Sequence, residues 1–218
     1  MRGALTAMVV LLMLAGCASQ EMTSGKIYMQ QEDWDKAIEF FSQEVEKNPT
    51  NAEAYMWLGR AYTQRRKYER ASDCFNEARK INPDIITEKE RLFIWGVYNA
   101  AGEQAATRKD YTSAISYLTE SLELESDSVI TYTYLGYAHS KMQDTTNAIK
   151  NYTLAIEKNP SNIASRIQLA QYYMEVKNYE NATMEFKEIV AIDPLNSDAL
   201  YHMGVCYTYL EDFDNAEN

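Results

Sequence analysis

The chain has 218 residues, with 21 Lys and Arg against 32 Asp and Glu, and therefore a formal net charge of −11. This acidic balance argues against nucleic-acid binding, because phosphate contact requires clustered Lys and Arg. The 3 Cys and 2 His show no Cys-x-x-Cys or His-x-x-x-His spacing, so neither a metal site nor a cofactor site is expected.

The first element is a targeting segment, because residues 1–16 have the layout of a secretory signal peptide. Arg2 precedes an apolar run from Ala4 to Leu14, and small residues follow. A membrane-spanning helix takes about 20 apolar residues, and this run is shorter. We therefore expect residues 1–16 to be removed from the mature protein.

The residues Leu14-Ala15-Gly16-Cys17 resemble the lipobox of bacterial lipoproteins. The resemblance implies cleavage before Cys17 and acylation of this residue, whereas a plain signal peptide with a chance Cys is the alternative. Two or more acyl chains hold a protein stably on a membrane. We therefore expect a membrane-anchored lipoprotein that faces the periplasm. Ala18, directly after Cys17, favours the outer membrane. Residues 17–22 would form the lipid anchor and a short tether.

The rest of the chain repeats with a period of 34 residues. Three residue types report this period, and together they place one excess of nine residues between Pro83 and Gly102. The prolines are Pro49, Pro83, Pro160 and Pro194. The glycines that follow the period are Gly25, Gly59, Gly102, Gly136 and Gly204. The alanines that follow it are Ala37, Ala71, Ala114, Ala148, Ala182 and Ala216.

This period and punctuation resemble the tetratricopeptide repeat (TPR), a helix-turn-helix unit of 34 residues. The second copy carries the pattern most fully, with Tyr55, Leu58, Gly59, Tyr62, Ala71, Phe75, Ala78 and Pro83. The resemblance implies an all-α fold, a right-handed superhelical solenoid with one concave side. The repeats are expected at 18–51, 52–85, 86–128, 129–162 and 163–196, with a partial sixth at 197–218.

The repeat places explain most of the apolar and aromatic residues. Gly or Ala in the first helix and Ala in the second are expected where the two helices approach most closely. Eleven of the 17 Tyr occupy packing places: Tyr28, Tyr55, Tyr62, Tyr68, Tyr98, Tyr111, Tyr132, Tyr152, Tyr173, Tyr179 and Tyr207. His139 stands in one of the same places and is expected in the core. Cys74 and Cys206 belong to distant repeats, so no disulfide between them is expected.

The excess of nine residues predicts a longer first helix in the third repeat, from near Thr87 to about Thr107. Thr87 and Glu90 have the spacing of a capping box. The added turns carry Leu92, Phe93 and Ile94, where a partner could dock. We expect most of these apolar residues to pack instead on the second repeat.

The sixth repeat holds only a stub of its second helix, because the chain stops at Asn218. The inner face of its first helix, with Met203 and Tyr207, is therefore expected to be bare. Two explanations stay open: a truncated sequence, or a partner or second copy that covers this end.

The resemblance also implies which residues line the concave groove. These are Glu53, Met56, Arg60, Thr63 and Gln64; Gly96, Asn99, Glu103, Ala106 and Thr107; Ile130, Thr133, Tyr137, Ser140 and Lys141; Ala164, Ile167, Gln171, Met174 and Glu175; Asp198, Tyr201, Val205, Thr208 and Tyr209. The cationic cluster with which chaperone-binding TPR modules hold a carboxylate is absent from these places. The candidate partner-binding residues are Tyr137, Lys141, Ile167, Gln171, Met174, Tyr201, Val205 and Tyr209. Alternatively, they pack against a missing seventh helix or against each other.

These features predict a non-enzymatic interaction scaffold in the bacterial cell envelope, because the chain has no G-x-S-x-G motif and no Gly-rich phosphate loop. Its expected partner is a protein or peptide segment of another envelope protein, and lipidated Cys17 would contact the membrane. A lipobox followed by about six TPRs resembles the lipoproteins that help assemble type IV pilus secretins. The chain could also be the N-terminal part of a longer protein with a further C-terminal domain.

Overall fold

A computed structural model describes residues 19–210, which form eleven helices and no strand within that range. The all-α prediction is confirmed. The helices are α1 Gln20–Gln30, α2 Trp34–Lys47, α3 Ala52–Gln64, α4 Tyr68–Ile81, α5 Glu88–Thr107, α6 Tyr111–Leu124, α7 Val129–Lys141, α8 Thr145–Lys158, α9 Ile163–Glu175, α10 Tyr179–Ile192 and α11 Ser197–Tyr209. Cys17 and the predicted stub of the sixth repeat's second helix lie outside the described residues.

The turns inside the first five repeats, which the structure describes, have the same backbone form. In each, the second residue after the first helix adopts a positive φ, between 53° and 64°, and none of these residues is glycine. They are Glu32, Arg66, Lys109, Gln143 and Lys177. The next residue returns its N–H to a carbonyl of the first helix, as Lys67 does to the Tyr62 carbonyl at 3.0 Å. This bond satisfies an end-of-helix acceptor and turns the chain back sharply.

Most helices begin with a side-chain cap, which the sequence supplies as Ser, Asp or Asn. Asp110, for example, accepts the Ser113 N–H at 3.2 Å at the start of α6. Capping of this kind stabilises a helix because its first N–H groups have no partner within the helix. Helix α4 differs, because Lys67 stands at its N-cap and makes no such bond.

The predicted close approach of paired helices is observed at the glycines. A Cβ on Gly59 would lie 2.6 Å from the Phe75 ring, and one on Gly136 would lie 2.6 Å from the Tyr152 ring. Ala71 and Ala148, on the second helices, are fully buried. Small residues therefore let each first helix rest directly on a large side chain of its partner.

The chain divides into two compact units, one up to Glu90 and the other from Arg91. In the first unit, Phe41, Leu58 and Ala61 belong to one apolar cluster between helices α1 to α4. In the second unit, separate clusters form between successive helices, for example around Tyr152 and Leu169. Each unit therefore has a core of its own.

Helix α5 begins where the capping box predicts, and Glu90 accepts hydrogen bonds from the Thr87 N–H and hydroxyl at 3.1 and 2.9 Å. The packing prediction for the added turns is wrong for two of three residues. Ile94 is fully buried, but Leu92 is 64% exposed and Phe93 is 40% exposed. Successive helical residues point about 100° apart, so three in a row cannot share one buried face.

The prediction of a bare inner face on α11 is also wrong. Tyr207 is buried, and the Lys187 Nζ lies 5.4 Å above its ring. Met203 packs on an apolar cluster that includes Phe186. Side chains of the neighbouring helix α10 thus pack on Met203 and Tyr207, which the sequence pattern predicted to be bare.

The remaining core predictions agree with the structure. All eleven packing tyrosines are buried or half-buried. His139 is half-buried, and its Nδ1 lies 3.1 Å from the Asp144 carboxylate. Cys74 and Cys206 are both free and buried.

Candidate functional site

Three first helices of the second unit, α5, α7 and α9, line a groove of about 730 Å³. Twelve residues form its walls: Glu103, Ala106, Thr107, Val129, Ile130, Thr133, Tyr134, Tyr137, Asn162, Ala164, Ile167 and Gln168. Eight of the twelve stand in places where the repeat pattern predicts groove residues. A volume of this size is in the range of sites that hold drug-sized ligands or peptide side chains.

Helical spacing explains why α7 contributes most to the groove. Ile130, Thr133, Tyr134 and Tyr137 follow one another at intervals of three, one and three residues, which places them on one face of a helix. Ile130 is 48% exposed although it is a large apolar residue. This face of α7 is therefore an accessible apolar surface at the middle of the groove.

Tyr137 is held in place by contacts on two sides. Its ring meets the Tyr111 ring edge-on, with centroids 6.3 Å apart, and the Lys141 Nζ lies 5.4 Å from its centroid. Lys141 in turn forms an ion pair with Glu175 at 3.3 Å. Tyr137 thus serves both the core and the groove wall, while the charge of Lys141 is partnered.

Glu103 supplies a carboxylate to the wall formed by α5. Tyr134, on α7, lies near it. Burial and, to a smaller extent, the negative charge of Glu103 raise the pKa of Tyr134. Glu103 itself is exposed, so a ligand can reach it from solvent.

Buried polar contacts fix the walls relative to each other. The hydroxyls of Thr133 and Ser165 lie 2.8 Å apart between α7 and α9. Beneath α5 and α7, Asn99 donates to Ser121 at 2.6 Å and accepts from Thr131 at 2.8 Å. Satisfied buried networks of this kind favour one packing arrangement over others.

The structure brings only part of the predicted set together. Tyr137 and Ile167 line the groove, Lys141 lies beside it, and Met174 packs half-buried on the cluster around Phe186. Gln171 is exposed and Val205 is half-buried, and neither is among the residues lining the groove.

Tyr201 and Tyr209, on α11, also lie outside the groove lining. Their exposures are 69% and 63%, and Tyr209 stacks on Tyr179 with centroids 4.5 Å apart and an angle of 4° between planes.

Four lining residues come from outside the predicted places: Val129, Tyr134, Asn162 and Gln168. Tyr134 and Gln168 follow predicted groove residues by one position, so a wider helical face would have included them. Asn162 caps α9 by accepting the Ser165 N–H at 2.8 Å. The Asn-x-x-Ser spacing in the sequence could have identified Asn162 as the N-cap residue of α9.

The equivalent face of the first unit is charged and paired. Glu53 accepts from the Lys26 Nζ at 2.8 Å and from the Trp57 Nε1 at 3.2 Å. Arg60 is bonded to Glu90, and its guanidinium lies 5.3 Å from the Trp57 ring centroid. The cations on this face already have acidic and aromatic partners.

Comparison with known families decides what the chain is. Tetratricopeptide-repeat models match residues 28–86, 131–162 and 163–194, together more than half of the chain. The chain is a tetratricopeptide-repeat protein. No curated protein sequence matches it.

Solved structures share this fold at low sequence identity. The crystal structure of YrrB, "a TPR protein with an unusual peptide-binding site", is 21% identical, with a TM-score of 0.58, covering 81% of this chain and 86% of that one. A crystal structure of MamA is 18% identical, with a TM-score of 0.55 and coverages of 80% and 96%. Pseudomonas aeruginosa pilF is 17% identical, with a TM-score of 0.50 and coverages of 90% and 86%. These similarities establish a TPR fold.

Two further observations concern the described part of the TPR chain. Between residues 19 and 210, no three His, Cys, Asp or Glu residues come together as a metal would require. Over the same residues, no helix is both long and apolar enough to cross a membrane.

Proposed function

We propose that this TPR protein is a non-enzymatic adaptor, lipid-anchored in the bacterial cell envelope, which binds a segment of another envelope protein in the groove of α5, α7 and α9. The observation that carries the proposal is the groove itself, which is accessible, mainly apolar and about 730 Å³ in volume. YrrB, which has the same fold, has a peptide-binding site. Peptide segments bind such surfaces by placing apolar side chains in them.

Ile130 is the best residue for testing the groove, because it lines the wall and is 48% exposed. Ile130→Ser would remove apolar contact area at little cost to the core. Ile192→Ser is the matched control, since Ile192 is 40% exposed on α10 and is not a lining residue. Crosslinked capture from membranes should fall at least about tenfold for Ile130→Ser and stay unchanged for Ile192→Ser. Equal capture by both variants would refute binding in this groove.

The lipid anchor is the second part of the proposal. Cys17 ends the lipobox-like segment, and α1 begins at Gln20 with Ser19 as its N-cap, so the tether from Cys17 would be short. The first repeat would then lie against the membrane surface.

Cys17→Ser should move the protein from the membrane fraction to the soluble fraction. Cys74→Ala is the control, because burial raises the pKa of the Cys74 thiol to about 12 and leaves it unreactive. Retention of Cys17→Ser in the membrane fraction would argue against a lipid anchor. A flexible ten-residue insertion after Ser19 tests the short tether, because unchanged function would argue against a distance requirement.

Assembly of type IV pilus secretins is a narrower form of this function. The likeness to pilF concerns the fold alone at 17% identity. We therefore propose the general adaptor role, and the capture experiment identifies the partner.

A further inference from the structure

We propose that the groove selects peptide segments in which an apolar side chain lies next to a Lys or Arg, and that Glu103 is the residue that recognises the cation. This inference rests on the proposed function, because it assumes that a segment binds between α5, α7 and α9. It adds the chemical class of that segment.

The composition of the lining points to such a ligand. Among the twelve residues that line the groove, Glu103 is the one with a formal charge. Val129, Ile130 and Ile167 give the walls their aliphatic character. A surface with one carboxylate amid apolar side chains complements a ligand with one cation amid apolar side chains.

Glu103 is positioned to accept a cation. Its side chain lines the groove and is exposed, and Tyr134 on α7 lies near it. An ionised carboxylate has about four acceptor sites. Glu103 can therefore accept hydrogen bonds from an ammonium or guanidinium group of a ligand.

The first unit shows why Glu103 is distinctive. Glu53 stands on the equivalent face there, and Lys26 already neutralises it. Glu90, near the start of α5, is likewise paired with Arg60. A ligand cation would have to displace an ion pair at those residues. At Glu103 the neighbouring group is the uncharged phenol of Tyr134, so a ligand cation adds a charge pair without breaking one.

The overall charge and the pairing of Lys141 agree with this assignment. The chain has a net charge of −11, which favours the approach of cationic segments. Lys141 could attract an acidic ligand, but it already pairs with Glu175 at 3.3 Å. The electrostatic preference of the groove is therefore for positive charge.

A displayed library of random heptapeptides, selected on the immobilised full chain and depleted on Ile130→Ser, tests the inference. We expect the groove-dependent peptides to pair Leu, Ile, Phe or Tyr with a neighbouring Lys or Arg. Their affinity should fall about tenfold on Glu103→Gln. Glu188→Gln is the matched control, because Glu188 is an exposed carboxylate on α10 away from the lining, and it should bind as wild type does.

The outcomes separate this inference from the proposed function. Groove-dependent peptides with no excess of basic residues, or with unchanged affinity for Glu103→Gln, would overturn the role of Glu103 and leave the groove as a binding site. A library that yields no peptide dependent on Ile130 would count against both. Enrichment of basic peptides that Glu103→Gln weakens and Glu188→Gln does not would support the inference.

Discussion

The first-helix faces of the two units are built at the same repeat places but have opposite chemistry. In the first unit the face carries Glu53, Trp57 and Arg60, and the charges are paired within the unit. In the second unit, Ile130 and Ile167 face a groove with Glu103 at its edge. Equal backbone geometry therefore does not make equal binding surfaces.

The difference follows from which side chains are satisfied before a partner arrives. An exposed ion pair contributes little to stability, about 0–1 kcal/mol, but a ligand must separate it to use either charge. An exposed apolar wall has no such competitor, and burying it against a partner releases water. The proposed binding surface therefore belongs to the second unit.

The largest expected effect comes from breaking the close packing in one unit at a time. Gly136→Ala places a Cβ 2.6 Å from the Tyr152 ring, and Gly59→Ala does the same against Phe75. Each should lower the free energy of unfolding by about 1–3 kcal/mol in chemical denaturation. Only Gly136→Ala should weaken peptide binding in the groove.

Gly96→Ala is the control for these glycine variants, because nothing lies within 4 Å of its added Cβ. It should raise the free energy of unfolding by roughly 0.5–1 kcal/mol, since Ala favours helix over Gly. If Gly59→Ala weakened groove binding as much as Gly136→Ala does, the separation between the two faces would fail.

A smaller effect is expected at the uncapped helix of the first unit. Lys67→Asp would give α4 the side-chain cap that it lacks and should raise the free energy of unfolding by about 1 kcal/mol. Thermal and denaturant melts measure this gain, with Lys67→Ala separating loss of the cation from gain of the cap. Groove affinity should not change, and a change would show that the units communicate.

Removing the ion pair on the first face should matter less still. Arg60→Ala leaves Glu90 without its arginine partner, and the expected loss of stability is about 0–1 kcal/mol because both side chains are partly exposed. Peptide binding in the groove should keep its wild-type affinity. A tenfold loss would place the binding surface on both faces.

The smallest expected effect is acid sensitivity at the Asp caps of the second unit. The pKa of Asp144 lies below its usual value of 3.8, because the Asn147 side chain and N–H donate hydrogen bonds to it. The pKa of Asp110 is lowered in the same way by Ser113. A lowered folded-state pKa means that the stabilisation is present above the usual pKa and is lost as the pH falls through the lowered value.

Denaturation between pH 7 and pH 2 measures this effect. Asp110→Asn and Asp144→Asn keep a capping side chain but remove the titration, so their stability should fall less steeply below about pH 4 than that of the wild type. If the free energy of unfolding of both variants fell with pH as steeply as that of the wild type, these caps would contribute nothing to the acid sensitivity.

The repeat period was enough to predict the helices, the long α5 and most of the groove, because small residues and prolines recur where helices touch and end. It did not identify Tyr134, because a list of repeat places describes one narrow face of a helix, whereas the approach of Tyr134 to Glu103 depends on how α5 and α7 are spaced. It also placed Tyr201 and Tyr209 in the groove, and neither is among the residues that line the cavity between α5, α7 and α9.

The turns show another limit of the sequence. Five residues adopt positive φ, and none is Gly, Asn or Asp, the residues that normally signal this conformation. Their conformation follows from the closing hydrogen bonds of the turn, such as Asp110 N–H to the Ala105 carbonyl at 2.9 Å. Leu92 and Phe93 likewise needed the actual rotation of α5 before their exposure could be known.

Site-specific photocrosslinking at Thr107 and Gln64 tests whether a partner binds in the groove of the second unit. Both are exposed, they end α5 and α3, and they occupy the same place in their repeats. With a photoreactive residue at either position in cells, the account predicts a partner adduct from Thr107, which lines the groove, and none from Gln64. An adduct of equal yield from Gln64, or from Gln64 alone, would contradict it.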